Sequence, residues 1–61
     1  MTIKSITVGG HTVKLDQHDS KFCTLYEVSY DDHALHPTSN LTIALQMFET
    51  LSERASHVRG N

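Results

Sequence analysis

Residues 40–58, NLTIALQMFETLSERASHV, carry the most regular pattern in the chain. Apolar residues recur in them at steps of three and four, the spacing that aligns side chains on one face of an α-helix. These residues are Leu41, Ala44, Leu45, Phe48, Leu51, Ala55 and Val58. The pattern predicts an amphipathic helix over about residues 40–57. Thr38, Ser39 or Asn40 can each cap the helix by accepting a hydrogen bond from a free N–H of the first turn, and Ser39 is the favoured cap.

Two short runs before this helix, at 2–8 and 11–16, alternate between apolar and polar residues. Gly9-Gly10 separates them. Two glycines between alternating runs are typical of a two-residue hairpin turn, because its central residues need positive φ. In that hairpin Val8 lies opposite His11. One face is then mostly apolar and the other mostly polar, which predicts a ribbon covered on one side.

A third strand is predicted over residues 22–30, FCTLYEVSY, which are rich in strand-forming types. It follows a polar loop at 16–21. Apolar side chains fall on both of its faces, so the alternation leaves open which face meets the helix. Residues 31–39 contain Pro37 and are expected to form an irregular connector.

These elements predict an α+β fold in a single domain, residues 1–61, with the order β-β-β-α. A three-stranded antiparallel meander (about 2–8, 11–16 and 22–30) packs on the C-terminal helix. A chain of this length has a marginal core and needs a disulfide, a metal, a partner subunit or very good packing. An intramolecular disulfide is impossible, because Cys23 is the only cysteine.

The charge distribution argues against direct nucleic-acid binding. Net charge is −2, and the five lysines and arginines are dispersed along the chain, whereas phosphate binding usually needs a concentrated basic patch. The chain also has no apolar run of about 20 residues and no apolar leader. We therefore expect a soluble, cytoplasmic protein, and the start at Met1 is that expected of a complete small gene product.

No residue pattern predicts catalysis. Cys23 lies beside Phe22 and Leu25 in the predicted strand, where a buried structural thiol is the usual case. No carboxylates are paired by their spacing, and the hairpin turn explains the glycines. The sequence thus predicts a protein that is not an enzyme and has no cofactor.

Histidines offer one alternative. His33 and His36 follow Asp31-Asp32, and imidazole and carboxylate groups are zinc ligands. Their spacing matches no strong zinc pattern, so no metal site is predicted. A zinc-dependent small fold remains a hypothesis, in which a chelator would lower the melting temperature.

The predicted contact surface combines three features. Two apolar residues one helical turn apart stand off the main helical stripe, two tyrosines lie on the third strand, and two acids begin the connector. These residues are Ile43, Met47, Tyr26, Tyr30, Asp31 and Asp32. Methionine suits an adaptable contact, and the acids can steer the protein toward a basic partner surface.

The leading hypothesis is a non-enzymatic protein-binding module or inhibitor that docks on a larger protein, alone or as a homodimer. In size and strand-rich plan the chain resembles the small accessory proteins of phages and mobile elements, such as inhibitors of host defence; no single motif carries this likeness. The alternative is a small nucleic-acid-binding transcriptional regulator acting as a dimer. That alternative requires Lys4, Lys14 and Lys21 to gather on one side of the sheet, or a dimer that doubles them.

Overall fold

The computed structural model of the protein describes residues 1–58, with the side chains of residues 1–56. Four antiparallel strands form one sheet in the order β1-β2-β3-β4, and one helix packs on its face. The strands are β1 (Thr2–Val8), β2 (His11–Asp19), β3 (Thr24–Tyr30) and β4 (His33–Ala34), and the helix is α1 (Leu41–Val58). The predicted α+β fold, β-β-β-α, is confirmed, with a short fourth strand added.

Two tight turns shape the sheet. Gly9 and Gly10 have φ values of 61° and 80°, the left-handed conformations that a primed hairpin turn requires. This confirms the predicted first turn. Asp31 and Asp32 also have positive φ, 49° and 72°, and they join β3 to β4. Aspartate tolerates this conformation better than most residues. The predicted irregular connector therefore begins as a second tight hairpin.

The second strand is longer than predicted. Residues 16–19 were expected in a loop because they are polar, but they continue β2 and pair with β3 as far as Asp19 opposite Thr24. Backbone pairing does not need apolar side chains, so polarity alone was a poor guide here. β3 consequently begins at Thr24. Phe22 is 93% exposed and Cys23 is exposed too, so the prediction of a buried thiol is wrong.

The core is a small cluster between the middle of the sheet and the helix. Val13 and Leu15 of β2 and Val28 of β3 are fully buried beneath Ala44 and Phe48 of α1. Each large apolar side chain buried in this way contributes roughly 1.5–3 kcal/mol to stability. The alternation of residues in β3 did not determine which of its faces meets the helix. The burial of Val28 shows that the face carrying Val28 packs against the helix.

The helical stripe holds best at its centre. Ala44, Phe48 and Ala55 are buried, while Leu41 at the start of the helix is 40% exposed. The side chain of Val58, the last member of the stripe, lies outside the described residues. The helix therefore rests on the sheet by its middle turns.

Asn40, and not Ser39 as predicted, caps the helix. The side-chain oxygen of Asn40 accepts hydrogen bonds from the backbone N–H groups of Thr42 (2.9 Å) and Ile43 (3.3 Å). Thr38 holds the cap in place, since its hydroxyl oxygen accepts a bond from the N–H of Asn40 (3.1 Å). Serine and asparagine are both good N-cap residues, so the sequence alone does not distinguish Ser39 from Asn40 as the cap.

The two edges of the sheet differ in whether another segment pairs with them. After β4 the connector runs along β3: Leu35 N–H donates to the carbonyl of Val28 (2.9 Å), and Tyr26 and Thr38 exchange two backbone bonds (2.7 and 2.9 Å). β1 forms the opposite edge. Its pairing with β2 shifts register between Thr2 and Lys4, which is a β-bulge.

We expect Asn40→Ala to lower the free energy of unfolding by about 1 kcal/mol, because it leaves two N–H groups of the first turn without an acceptor. Thermal unfolding followed by circular dichroism measures the change. Ser39→Ala is the matched control, with an expected change within about 0.5 kcal/mol. A larger loss for Ser39→Ala than for Asn40→Ala would contradict this assignment of the cap.

Candidate protein-binding surface

The predicted contact residues occupy three separate places. Ile43 and Met47 lie on α1, and Tyr26 and Tyr30 lie on the side of β3 that faces the helix. The acids Asp31-Asp32 form the turn after β3. The predicted contact residues thus do not form one continuous surface, and the three parts differ in their surroundings.

The first part lines a groove between the helix and the connector. We call it the helix–connector groove; it has a volume of ≈ 340 Å³. Its lining consists of Leu35, Ile43, Gln46, Met47, Thr50 and Leu51. Ile43 is 46% exposed and Leu35 37% exposed. None of the lining residues is charged, so the groove suits uncharged, apolar side chains.

Met47 has a different role from the one its helical position suggested. The periodicity placed it off the packed stripe, but it is half-buried and packs against the core cluster. Tyr26, Tyr30 and Leu51 pack against the same cluster, so the packed face of the helix is wider than the stripe. Ile43 is therefore the exposed apolar residue of the predicted pair, and Met47 belongs partly to the core.

The two tyrosines are also half-buried. Tyr30 stacks on the ring of His11, with centroids 5.2 Å apart and an interplanar angle of 29°. Both tyrosines pack against the core cluster. Part of each side chain is thus used within the fold, and only the remainder is accessible to a partner.

The face of the sheet away from the helix is mostly polar. Its side chains pair with each other: Thr7 and Thr12 hydroxyls lie 3.2 Å apart, and His18 Nε2 lies 3.3 Å from Glu27 Oε1. Leu25 adds an apolar side chain that is 36% exposed. Polar contacts between neighbouring strands therefore occupy part of this face.

Asp31 and Asp32 differ sharply. The carboxylate of Asp31 accepts bonds from Thr12 N–H (2.8 Å) and lies 2.5 Å from His11 Nδ1. These contacts, that with His11 first, lower the pKa of Asp31 below its usual value of 3.8. Asp32 is exposed, and its carboxylate has no hydrogen-bond partner among the described side chains of residues 1–56 or the backbone that the structure describes. The Asp31 side chain therefore binds the turn to β2, while the exposed carboxylate of Asp32 is available to a partner protein.

A second groove lies on the other flank of the helix. We call it the β1–helix groove; its volume is also ≈ 340 Å³. Its lining consists of Lys4, Ser5, Ile6, Phe48, Glu49, Ser52 and Glu53. Lys4 Nζ lies 5.3 Å from the centroid of the Phe48 ring, and Ile6 is 40% exposed although it faces the helix side.

This second groove was not predicted from the sequence. Ile6 pairs with the buried Val13 but is itself only partly covered by the helix. The width of the helix explains the difference, because a helix is about 10 Å across and strands are about 4.8 Å apart. One helix covers about two strands, and α1 contacts β2 and β3 more than β1.

The lysines required by the nucleic-acid alternative do not share a surface. Lys4 lies on the helix side of β1 over Phe48. Lys14 pairs with Ser5 and Ser29 on the opposite side of the sheet, and Lys21 lies in the loop between β2 and β3. The arrangement gives one chain no concentrated basic patch from these three residues.

The described part of the chain shows no cluster suited to metal chemistry. Among the described side chains, those of residues 1–56, no three of His, Cys, Asp or Glu lie close enough together to hold an ion; His33 and His36 are both exposed. No helix in this range combines the length and apolar character needed to cross a bilayer.

Comparison with known protein families, curated proteins and solved structures finds no match to this chain. The interpretation of the surface therefore depends on its own geometry and chemistry.

We expect Asp31→Asn to be less stable than the wild type at about pH 5, because it removes the charge that His11 and Thr12 stabilise. Folding lowers the pKa of Asp31, so the carboxylate contributes stability that is present above its ordinary pKa of 3.8. That contribution is lost as pH falls through the lowered value. The difference in melting temperature between the variant and the wild type should therefore shrink below about pH 3.8.

Asp32→Asn is the matched control for this prediction. It occupies the same turn with positive φ, which asparagine also tolerates, but it has no partner among the described residues. We expect its difference in melting temperature to change little over the same pH range. An equal pH dependence for the two variants would contradict the role of Asp31.

Proposed function

We propose that this protein is a small, non-enzymatic binding module that docks on a larger protein and blocks or adjusts its activity. The helix–connector groove carries the proposal. It joins exposed apolar side chains on two elements, Ile43 of α1 and Leu35 of the connector, over a floor that is continuous with the core.

The groove has the composition of a contact site. Four of its six lining residues are apolar, and Gln46 and Thr50 supply polar groups. Protein interfaces usually combine apolar and uncharged polar groups in this way. The half-buried Met47 adds an adaptable wall. A volume of ≈ 340 Å³ is enough for one or two large side chains and lies at the lower end of the range of small-molecule pockets, about 300–1,000 Å³.

The chemistry of the groove defines its partner. Because no charged residue lines it, a partner should insert uncharged apolar or aromatic side chains, which a desolvated site favours. The exposed carboxylate of Asp32, three residues before Leu35 in the chain, favours a partner surface with basic residues nearby. Such a charge mainly raises the association rate and selectivity.

The proposed mode of action follows from size. A chain of 61 residues can cover a site on a larger protein, but offers little room for an active site of its own. Small inhibitors from phages and mobile elements, which the chain resembles in size and plan, also act by covering a site on a larger protein. The exposed, unpaired thiol of Cys23 fits the reducing conditions of a cytoplasm, which we propose as the compartment.

We expect Ile43→Glu to weaken partner binding at least about tenfold, because it places a charge in an apolar contact. The side chain is 46% exposed, so the melting temperature should change little. Met47→Glu is a poorer choice, because Met47 also packs on the core. Proteins captured from the natural host by the wild type would be purified, and their affinity for each variant measured by calorimetry.

Leu25→Glu is the matched control. Leu25 is 36% exposed and lies on the opposite face of the sheet, so its substitution adds the same charge away from the groove. The proposal requires a captured protein that binds the control like the wild type and Ile43→Glu more weakly. Equal affinity for all three chains would refute the groove as the docking site.

A further inference from the structure

The outer edge of β1 is open along its whole length. Within residues 1–58, β1 pairs only with β2. The connector covers the edge of β3 at Tyr26 and Val28, and β4 beyond it spans only two residues. A strand edge with unpaired N–H and C=O groups is a template for another strand.

The register shows which backbone groups point outwards. Thr12 lies opposite Thr7, and its N–H and carbonyl are used by Asp31 on the β3 side. Opposed residues in an antiparallel pair alternate between bonded and non-bonded positions. Thr7, and with it Ser5, therefore lies at a non-bonded position. Their N–H and C=O groups point away from β2, to the open edge.

Five residues, 4–8, form the regular part of β1, and the bulge at Thr2–Lys4 ends it. An antiparallel partner with the same sequence can pair with all five residues when Ile6 lies on the two-fold axis. Ser5 then lies opposite Thr7 of the second copy, and these outward-pointing positions exchange four backbone hydrogen bonds across the axis.

The side chains match in this register. Ile6, which is 40% exposed, meets Ile6 of the second copy at the close, non-bonded position. Ser5 meets Thr7 on the polar face, where hydroxyl groups can bond to each other. Lys4 lies opposite Val8, so the two lysines stand at opposite ends of the contact and like charges are not opposed.

We propose that two copies of this chain pair antiparallel through the β1 edges, with Ile6 on the two-fold axis, to form one continuous eight-stranded sheet. The apolar side chains of the second copy enter the β1–helix groove beside Phe48. Glu49 and Glu53 in the same groove can receive a lysine. The contact is short, so the dimer belongs with weak, small interfaces and forms at high concentration.

This dimer leaves the helix–connector groove free. The two grooves use different sides of α1: Phe48, Glu49 and Ser52 line one, whereas Ile43 and Met47 line the other. Self-pairing therefore doubles the docking site without covering it. Failure of the dimer and failure of the docking proposal are distinguishable, because they are tested by different variants.

Cysteine cross-linking tests the register. In a Cys23→Ser background, Ile6→Cys should form a disulfide-linked dimer in a glutathione buffer, because the Cα atoms of a non-bonded pair are about 4.5 Å apart, within disulfide reach. Ser5→Cys is the control. Ser5 of one copy is offset from Ser5 of the other by two residues, about 7 Å along the strand. With strands about 4.8 Å apart, the two Cα atoms are about 8 Å from each other, which is too far for a disulfide.

We expect at least about tenfold more cross-linked dimer for Ile6→Cys than for Ser5→Cys, a difference of about 1.4 kcal/mol. Equal yields would indicate random collision and overturn the proposal. A higher yield for Ser5→Cys would overturn the register with Ile6 on the axis.

Sedimentation velocity over a concentration series gives a second test, without cysteines. Thr7→Pro removes an N–H that points to the open edge, and proline is tolerated at edge positions of this kind. We expect this variant to remain monomeric at concentrations where the wild type and the control Thr7→Val dimerise. Circular dichroism confirms that each variant is folded. A wild type that stays monomeric, or a Thr7→Pro variant that dimerises equally, would overturn the proposal.

Discussion

The structure depends on one helix packing on the middle of a small sheet. Val13, Leu15 and Val28 are buried beneath Ala44 and Phe48, and Ala44 keeps the helix close to the strands because its side chain is small. A single helix covers about two strands. Since the sheet has more strands than that, the position of the helix decides which apolar side chains remain exposed at its two flanks.

The two edges of the sheet differ in what covers them, and the proposed contacts depend on this difference. On the β3 side the connector closes the sheet edge and brings Leu35 beside Ile43, which creates a groove with no charged lining residue. On the β1 side nothing in the described chain covers the outer edge of the strand, and Ile6 remains partly exposed. We propose a larger protein for the first flank and a second copy for the other.

Local signals predicted much of the fold. The helix and the Gly9-Gly10 hairpin were readable because periodicity and turn chemistry act over a few residues. The tight Asp31-Asp32 turn was not, because the carboxylate of Asp31 is held by His11 and Thr12, which lie far away in the chain. The burial of Met47 and the exposure of Cys23 also depend on tertiary placement. The sequence predicted Ile43 as a surface contact residue. The position of Leu35 beside it and the open edge of β1 could be recognised only once the order of the strands was known.

Amide hydrogen exchange followed by NMR at low protein concentration tests the different treatment of the two sheet edges most directly. The account predicts slow exchange for Leu35, Thr38 and Tyr26, whose N–H groups bond between the connector and β3. It predicts fast exchange for Ser5 and Thr7, whose N–H groups point to the open edge of β1. Exchange at Leu35 and Thr38 as fast as at Ser5 and Thr7 would contradict it, because the connector would then not close the β3 edge.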